Sequence, residues 1–358
     1  MSTQPVSLKK KPLRNWGLTS TAKFPRLRAL AWDGSVLYGS RGYDLLRADM
    51  SAPQTVWRAV ASYQREWWRQ WSSGSRLAFR LLRGGFHALA VLPSGHLVAA
   101  VAGAIITAAP QARTFRISHR ITRGTRPLHF AVTHEGHVFW GEYFDNPQRD
   151  EVQIYGSVDC GASWQVAYTF PKKSIRHVHN IVFDEWEKCL WVLTGDDGEE
   201  CRILKASCDF SRLQPVLSGG QQARAVAMVP AEDGLYFSSD TPMELNHIYR
   251  LTRHGELERL APLSSSSIYG CRAGRGIFFS TMIEPSEVNR DRNVRLYGSM
   301  DGGDWQSLAA WKKDGWPMGL FQFGNAAFPD GRNTTNLLAA TTVAVRGADL
   351  ETNIWSLP

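Results

Sequence analysis

The sequence predicts an all-β fold, a seven-bladed β-propeller of four-stranded antiparallel blades, with six or eight blades as the neighbouring possibilities. Three observations predict it. A unit of apolar strand, turn and second β-rich strand recurs along the chain. Its openings from His87 onward lie 42 to 52 residues apart. No stretch shows a helical period of comparable strength. A repeat of that size marks radial or linear repetition, and four short strands per unit suit a propeller, whose repetition hides most sheet edges.

The units open, in order, at 28–32, 87–91, 129–132, 177–182, 223–228, 268–271 and 320–323. Their second strands follow at 35–39, 96–100, 137–141, 190–194, 235–239, 277–281 and 337–341. Most of these are aromatic and β-branched, and turn pairs such as Asp33-Gly34, Ser94-Gly95 and Glu135-Gly136 precede several of them. The propeller is therefore expected to occupy residues 28–358 as one domain, which 358 residues can fill with a large core. Residues 1–27 form a basic arm: Lys9, Lys10, Lys11, Arg14, Lys23 and Arg26 all precede the first acidic residue, Asp33. Such an arm is expected to be partly flexible or to close the last blade. A Trp/Arg-rich insertion near 62–83 carries Arg65, Trp67, Trp68, Arg69 and Trp71. That composition can stack on sugars, bases or lipid headgroups, or pack over the propeller.

Composition narrows the function classes. The 41 basic and 33 acidic residues leave a formal charge of +8, which favours anionic partners without choosing among them. No apolar run approaches the roughly 20 residues that span a bilayer, and the basic, polar start lacks a signal-peptide core. The chain is expected in the cytoplasm. Five cysteines without CxxC spacing, Cys160, Cys189, Cys201, Cys208 and Cys271, fit reduced thiols. There is no phosphate-binding Gly loop, nucleophile elbow or HExxH run. Nucleic acid has only the overall charge in its favour.

The first two strands of a blade are antiparallel, so the start of one and the end of the next share a face near the channel. Those positions hold His87; His129; Glu142 and Tyr143; Arg176, His177 and His179; Asp196; Arg224; Asp240; and Glu284. The densest piece is Arg176-His-Val-His179, followed by Asp196 and Asp197. On a strand, His177 and His179 share one face unless a bulge intervenes. They could hydrogen-bond a ligand, serve as a general base, or ligate a divalent metal with Asp196; no metal is assigned. Arg176 and Arg224 could bind a carboxylate, with His87, His129 and Glu284 completing the binding surface. Glu142, Asp196 and Asp240 could supply acid or base for glycoside hydrolysis, and His177, His179 and Tyr143 for a lyase. Glu142 could equally pair with an arginine across a blade boundary.

A second mark recurs late in the units. Ser157-Val-Asp159-Cys-Gly161-Ala-Ser-Trp164 has the form S-x-D-x-G-x-x-W, Ser299-Met-Asp301-Gly-Gly303-Asp-Trp305 is one residue shorter, and Ser207-Cys-Asp209 is a partial copy. Ser and Asp can bond the backbone of a tight turn, Gly permits a left-handed residue and Trp packs between blades. These segments resemble the Asp-box, and with the repeat they make the chain from about residue 28 similar to the sialidase and BNR-repeat superfamily. The stretch from Gly141-Glu-Tyr-Phe to Arg224 also looks like Asp-box proteins of bacterial polysaccharide gene clusters. Where sialidases begin an early phrase with Arg-Ile-Pro, this chain has Phe86-His87, so a true sialidase is not expected. The resemblance implies a carbohydrate-active enzyme that cleaves glycosidic bonds of an acidic saccharide on the central face. A non-catalytic glycan- or protein-binding propeller is the alternative.

Overall fold

The computed structural model describes residues 16–64 and 75–358. It is a seven-bladed propeller. Blade 1 comprises Arg28–Gly34, Val36–Arg41, Asp44–Asp49 and Arg58–Ser62. Blade 2 comprises Ala88–Val91, Leu97–Val101, Ala104–Ala108 and Arg116–Arg120. Blade 3 is Ala131–Val132, Val138–Gly141, Val152–Ser157 and Gln165–Phe170. Blade 4 is Val178–Asp184, Cys189–Thr194, Arg202–Ala206 and Leu213–Ser218. Blades 5 and 6 begin with Ala225–Ala231 and Ser267–Ala273, and end with Leu257–Pro262 and Gln306–Lys312.

Blade 7 joins the two ends of the chain. Its first three strands are Asn325–Ala327, Leu337–Val343 and Glu351–Ser356, and its outer strand is Thr19–Pro25, antiparallel to Glu351–Ser356. An additional short strand, Asp330–Asn333, pairs in parallel with the first strand of blade 1 on its channel side. The pattern of burial explains the apolar runs seen in the sequence: second strands such as Leu97–Val101 and Cys189–Thr194 are buried throughout, whereas outer strands such as Arg116–Arg120 are not. Each core cluster draws residues from adjacent blades, as where Ala88, Val98 and Ile105 of blade 2 pack with Val138 and Trp140 of blade 3.

Residues 1–15 and the insertion segment 65–74, with Lys9 to Arg14 and Arg65 to Trp71, lie outside the described residues. Just beyond the insertion, helix α1 (Arg76–Leu81) faces a short helix α2 (Met318–Phe321). The fully buried Arg80 joins them, pairing with Asp314 and Asp349 and donating to the Phe321 carbonyl. The seventh opening expected at 320–323 is thus helix and turn, and the strand begins at Asn325. Alternation in Leu320-Phe-Gln-Phe suggested a strand, but Pro317 sets up the helical turn and Gln322 sits at φ 69°, which ends it.

All three Ser/Asp turns lie between third and fourth strands. Ser157 Oγ donates to Asp159, and Asp159 accepts from the Ser163 amide at 2.9 Å. Asp301 accepts from the Gly303 and Asp304 amides, and Asp209 from the Ser211 amide. Gly161 takes the left-handed conformation in the first turn; in the shorter one that role falls to Gly302, not Gly303. Trp164 donates to Ser118 of blade 2, and Trp305 lies against Tyr236 of blade 5, so both side chains bridge blades. The five cysteines are free thiols. Among the described residues no helix is long and apolar enough to cross a membrane.

Candidate functional site

The site grows from the ends of strands in blades 3 to 6. A bulge at His179, where the blade 4 register shifts between Val178 and Asn180, brings the His177 and His179 rings to a centroid separation of 4.9 Å. Asp196 reaches them from the end of the second strand through Gly195. That glycine has φ +84°, and a Cβ there would lie 1.9 Å from the Glu200 carbonyl oxygen, so only glycine fits the turn.

Carbonyl partners fix both tautomers. His177 Nδ1 donates to Phe144 O at 3.2 Å, and His179 Nδ1 donates to Ala225 O at 2.9 Å. Each Nε2 is left pointing inward. The two Nε2 atoms are 3.0 Å apart, and they stand 3.4 and 3.2 Å from the Asp196 carboxylate oxygens. Asp196 also meets Arg224 Nη2 at 3.1 Å and Arg176 Nη1 at 3.6 Å. Burial alone would raise its pKa, but the contacts with His177 and His179 outweigh it and hold the carboxyl well below its usual range. Burial lowers the His179 pKa. Tyr143 stacks over His177 at 4.0 Å, and burial with the neighbouring carboxylates raises its hydroxyl to about 12.

Asp240 and Glu284 approach from blades 5 and 6. Burial pushes Asp240 up to about 7 and raises Glu284 as well, against the opposing pull of Arg224. Asp240 Oδ1, Arg224 Nε and Arg176 Nε are buried without a hydrogen-bond partner among the described residues. Arg176 is also held by Asp145 at 2.6 Å.

Three residues of the expected site stand elsewhere. Glu142 turns away from Tyr143 and is gripped by Arg123 and by the Gln153 amide, so it serves as a strut of blade 3 and not as part of the histidine cluster. Its partner is Arg123, not Arg176 or Arg224. His87 and His129 belong to a second cluster, on the innermost strands of blades 1 to 3. His129 Nδ1 lies 2.7 Å from Asp330, and its ring lies 5.9 Å from that of Tyr269 in blade 6, so the contact spans the channel. His87 Nδ1 faces Arg28 at 3.4 Å, and burial with the charges of Arg126 and Arg28 keeps its pKa far below the ordinary value. Burial, with Arg28 and Arg83 nearby, lowers Arg126 to about 10, and its Nε has no partner among the described residues. Arg28 opens the first strand of blade 1, the position that singled out His87 and His129 in later blades, so the same rule could have found it. Arg126 and Arg123 precede a blade opening by a few residues and carry a weaker version of that signal.

No family model matches the chain, and no curated protein matches it. Solved structures do. The crystal structure of a mitotic checkpoint complex aligns with TM-score 0.56 at 11% identity, over 100% of this chain and 97% of that one. The Cps50 (Swd1) β-propeller domain of Myceliophteria thermophila aligns at 0.58 and 10%, over 95% and 100%. The WD40 propeller domain of Doa1 aligns at 0.52 and 11%, over 96% and 97%. These neighbours are WD40 propellers, and they correct the sialidase and BNR-repeat resemblance. The Ser/Asp turns are a local solution for a tight connection and do not carry a family. The glycosidase or lyase reading that rested on that resemblance falls with it, and Glu142, one of its three candidate acid or base residues, is committed to Arg123.

Proposed function

We propose that the protein is a non-catalytic propeller that binds a protein partner on the face carrying the histidine cluster. One observation carries this reading. Six large apolar or aromatic side chains, Leu81, Tyr143, Met243, Leu245, Trp316 and Leu320, are each at least 40% exposed. All six lie in connections that open on that face, either after a second strand or before a first. Among the described residues, the other strongly exposed apolar side chains are Val and Ile of outer strands and opposite turns, such as Val56, Val158 and Val166. A rim of Leu, Met and aromatic residues around a charged centre is the composition of a protein-binding surface, whereas scattered Val is ordinary exposure. The WD40 neighbours, one of them solved within a complex, support a scaffold role.

The test places a photo-crosslinking residue at 245 or 320, and at 56 or 158 as the opposite-face control. The captured protein is then purified and its affinity measured by calorimetry. Leu245→Asp and Leu320→Asp are expected to weaken binding at least about tenfold, and Val158→Asp to leave it unchanged. Equal losses on both faces would overturn the assignment. An acidic oligosaccharide is titrated in parallel: binding that survives Leu245→Asp but not Arg224→Ala would give the central charges to a glycan instead.

A further inference from the structure

We propose that His177, His179 and Asp196 bind a divalent first-row transition ion, zinc being the probe of choice. The argument starts from the lone pairs. Both Nδ1 atoms donate to backbone carbonyls, so each neutral ring presents an unprotonated Nε2, and these face each other at 3.0 Å with the Asp196 oxygens 3.2 and 3.4 Å away. Three acceptors converge with no donor hydrogen between the rings, and acceptors so placed repel unless a positive centre lies among them. One donor atom from each residue falls within 4.8 Å of the other two. Donors about 2.0 to 2.1 Å from one tetrahedral ion stand about 3.3 Å apart; the Nε2 pair at 3.0 Å and each ring's own nearest Asp196 oxygen, Oδ1 at 3.2 Å from His179 and Oδ2 at 3.4 Å from His177, lie near that spacing.

The surroundings fit the same ion. A ligating imidazole commonly donates its other nitrogen to a carbonyl, which fixes the ring and its tautomer, and both rings do so here. Two imidazoles with one carboxylate are a donor set for zinc and its neighbours in the first row, not for calcium or magnesium. Arg176 and Arg224 are met by Asp145 and Asp196, and Asp240 and Glu284 stand on the same side of the channel. With three protein donors, the ion keeps a coordination position toward the face, where Tyr143 is exposed.

The experiment uses the full chain, treated with EDTA and dialysed, and titrates zinc chloride by calorimetry. One zinc per chain is expected. His179→Gln and Asp196→Asn should each bind at least about tenfold more weakly, with circular dichroism confirming the fold. Cobalt(II) added to the wild type should give the intense visible bands of a low-coordinate nitrogen and oxygen site, a readout that needs no variant to fold. Three results would overturn the proposal: no zinc uptake by the wild type, unchanged uptake in folded His179→Gln, or a cobalt spectrum no different from that of the aqueous ion.

Discussion

The channel face has two charged sides of opposite imbalance. Toward blades 3 to 6, His177, His179, Arg176 and Arg224 all engage Asp196, with Asp240 and Glu284 as surplus carboxylates. Toward blades 1 to 3, Arg28, Arg83, Arg126 and His87 crowd together, and the nearby carboxylate, Asp330, is taken by His129. One cluster is a network organised around an anion; the other is a set of basic groups brought together by the fold. The difference teaches that a formal charge of +8 says little about the site, because the cations sort to one side of the channel and the acidic surplus to the other. Four substitutions test whether the contrast is physical, and they are ordered by expected effect.

Asp196→Ala should cost most. It leaves two buried imidazoles and two guanidiniums without their shared partner, and breaking a partly buried network of this kind costs about 3 kcal/mol. Urea denaturation in the presence of EDTA measures it. A loss below about 1 kcal/mol would show that the network is not organised around Asp196, and the contrast would fail. Gly124→Ala comes next. Thr125 N donates to Tyr143 O at 2.9 Å, linking the connection that carries Arg126 to the residue that covers His177. Gly124 has φ +74°, and a Cβ there would sit 2.1 Å from that same Tyr143 oxygen. The substitution is expected to cost about 2 kcal/mol, more than the conformational penalty alone, and to lift Tyr143 from His177, which tyrosine fluorescence and histidine ring shifts in NMR would report.

Asp240→Asn has a pH signature. Burial raises the Asp240 pKa to about 7, above its unfolded value of about 3.9, so the folded state holds a proton that the unfolded state releases between those limits. Its contribution to stability is fully present below about pH 4 and is lost as pH rises through 7. The asparagine variant lacks this loss. It should match the wild type near pH 4 and exceed it by a margin that widens as the pH rises towards 8. Parallel denaturation curves at the two pH values would locate the acidic surplus elsewhere if the difference did not open with pH.

The blades were legible because their signal is local and repeated. Runs such as Leu97-Val-Ala-Ala-Val101 lie in second strands buried on both faces, and no distant residue is needed to recognise them. His177, His179, Asp196, Arg176 and Arg224 were legible as a group for a related reason: antiparallel pairing alone puts the start of one strand beside the end of the next. What escaped depended on side-chain direction or on contacts across the ring. Glu142 and Tyr143 are neighbours in sequence, yet one faces Arg123 and the other His177, a choice fixed only by the packing of the blade 2 to 3 connection. The His129 to Tyr269 contact joins residues 140 positions apart through the curvature of the whole propeller, so strand spacing could not place it. The family resemblance misled because a Ser/Asp turn needs only a few residues, and such a turn can be built into any blade.

Arg126→Met carries the smallest expected effect, and its sign decides more than its size. Removing a partner from a satisfied network always leaves something uncompensated, as with Asp196. Removing a cation that meets no carboxylate among the described residues leaves behind, among those residues, only the Arg83 carbonyl, which Arg126 Nη2 meets at 3.0 Å. Methionine keeps most of the stem packing and relieves the repulsion with Arg28 and Arg83 that helps lower the Arg126 pKa to about 10. The variant should therefore be as stable as the wild type or more stable by up to about 1 kcal/mol, with the gain shrinking in high salt to the extent that the relieved repulsion reaches solvent. A destabilisation of about 2 kcal/mol or more would mean that Arg126 is satisfied after all. The two sides of the channel would then differ in composition but not in kind.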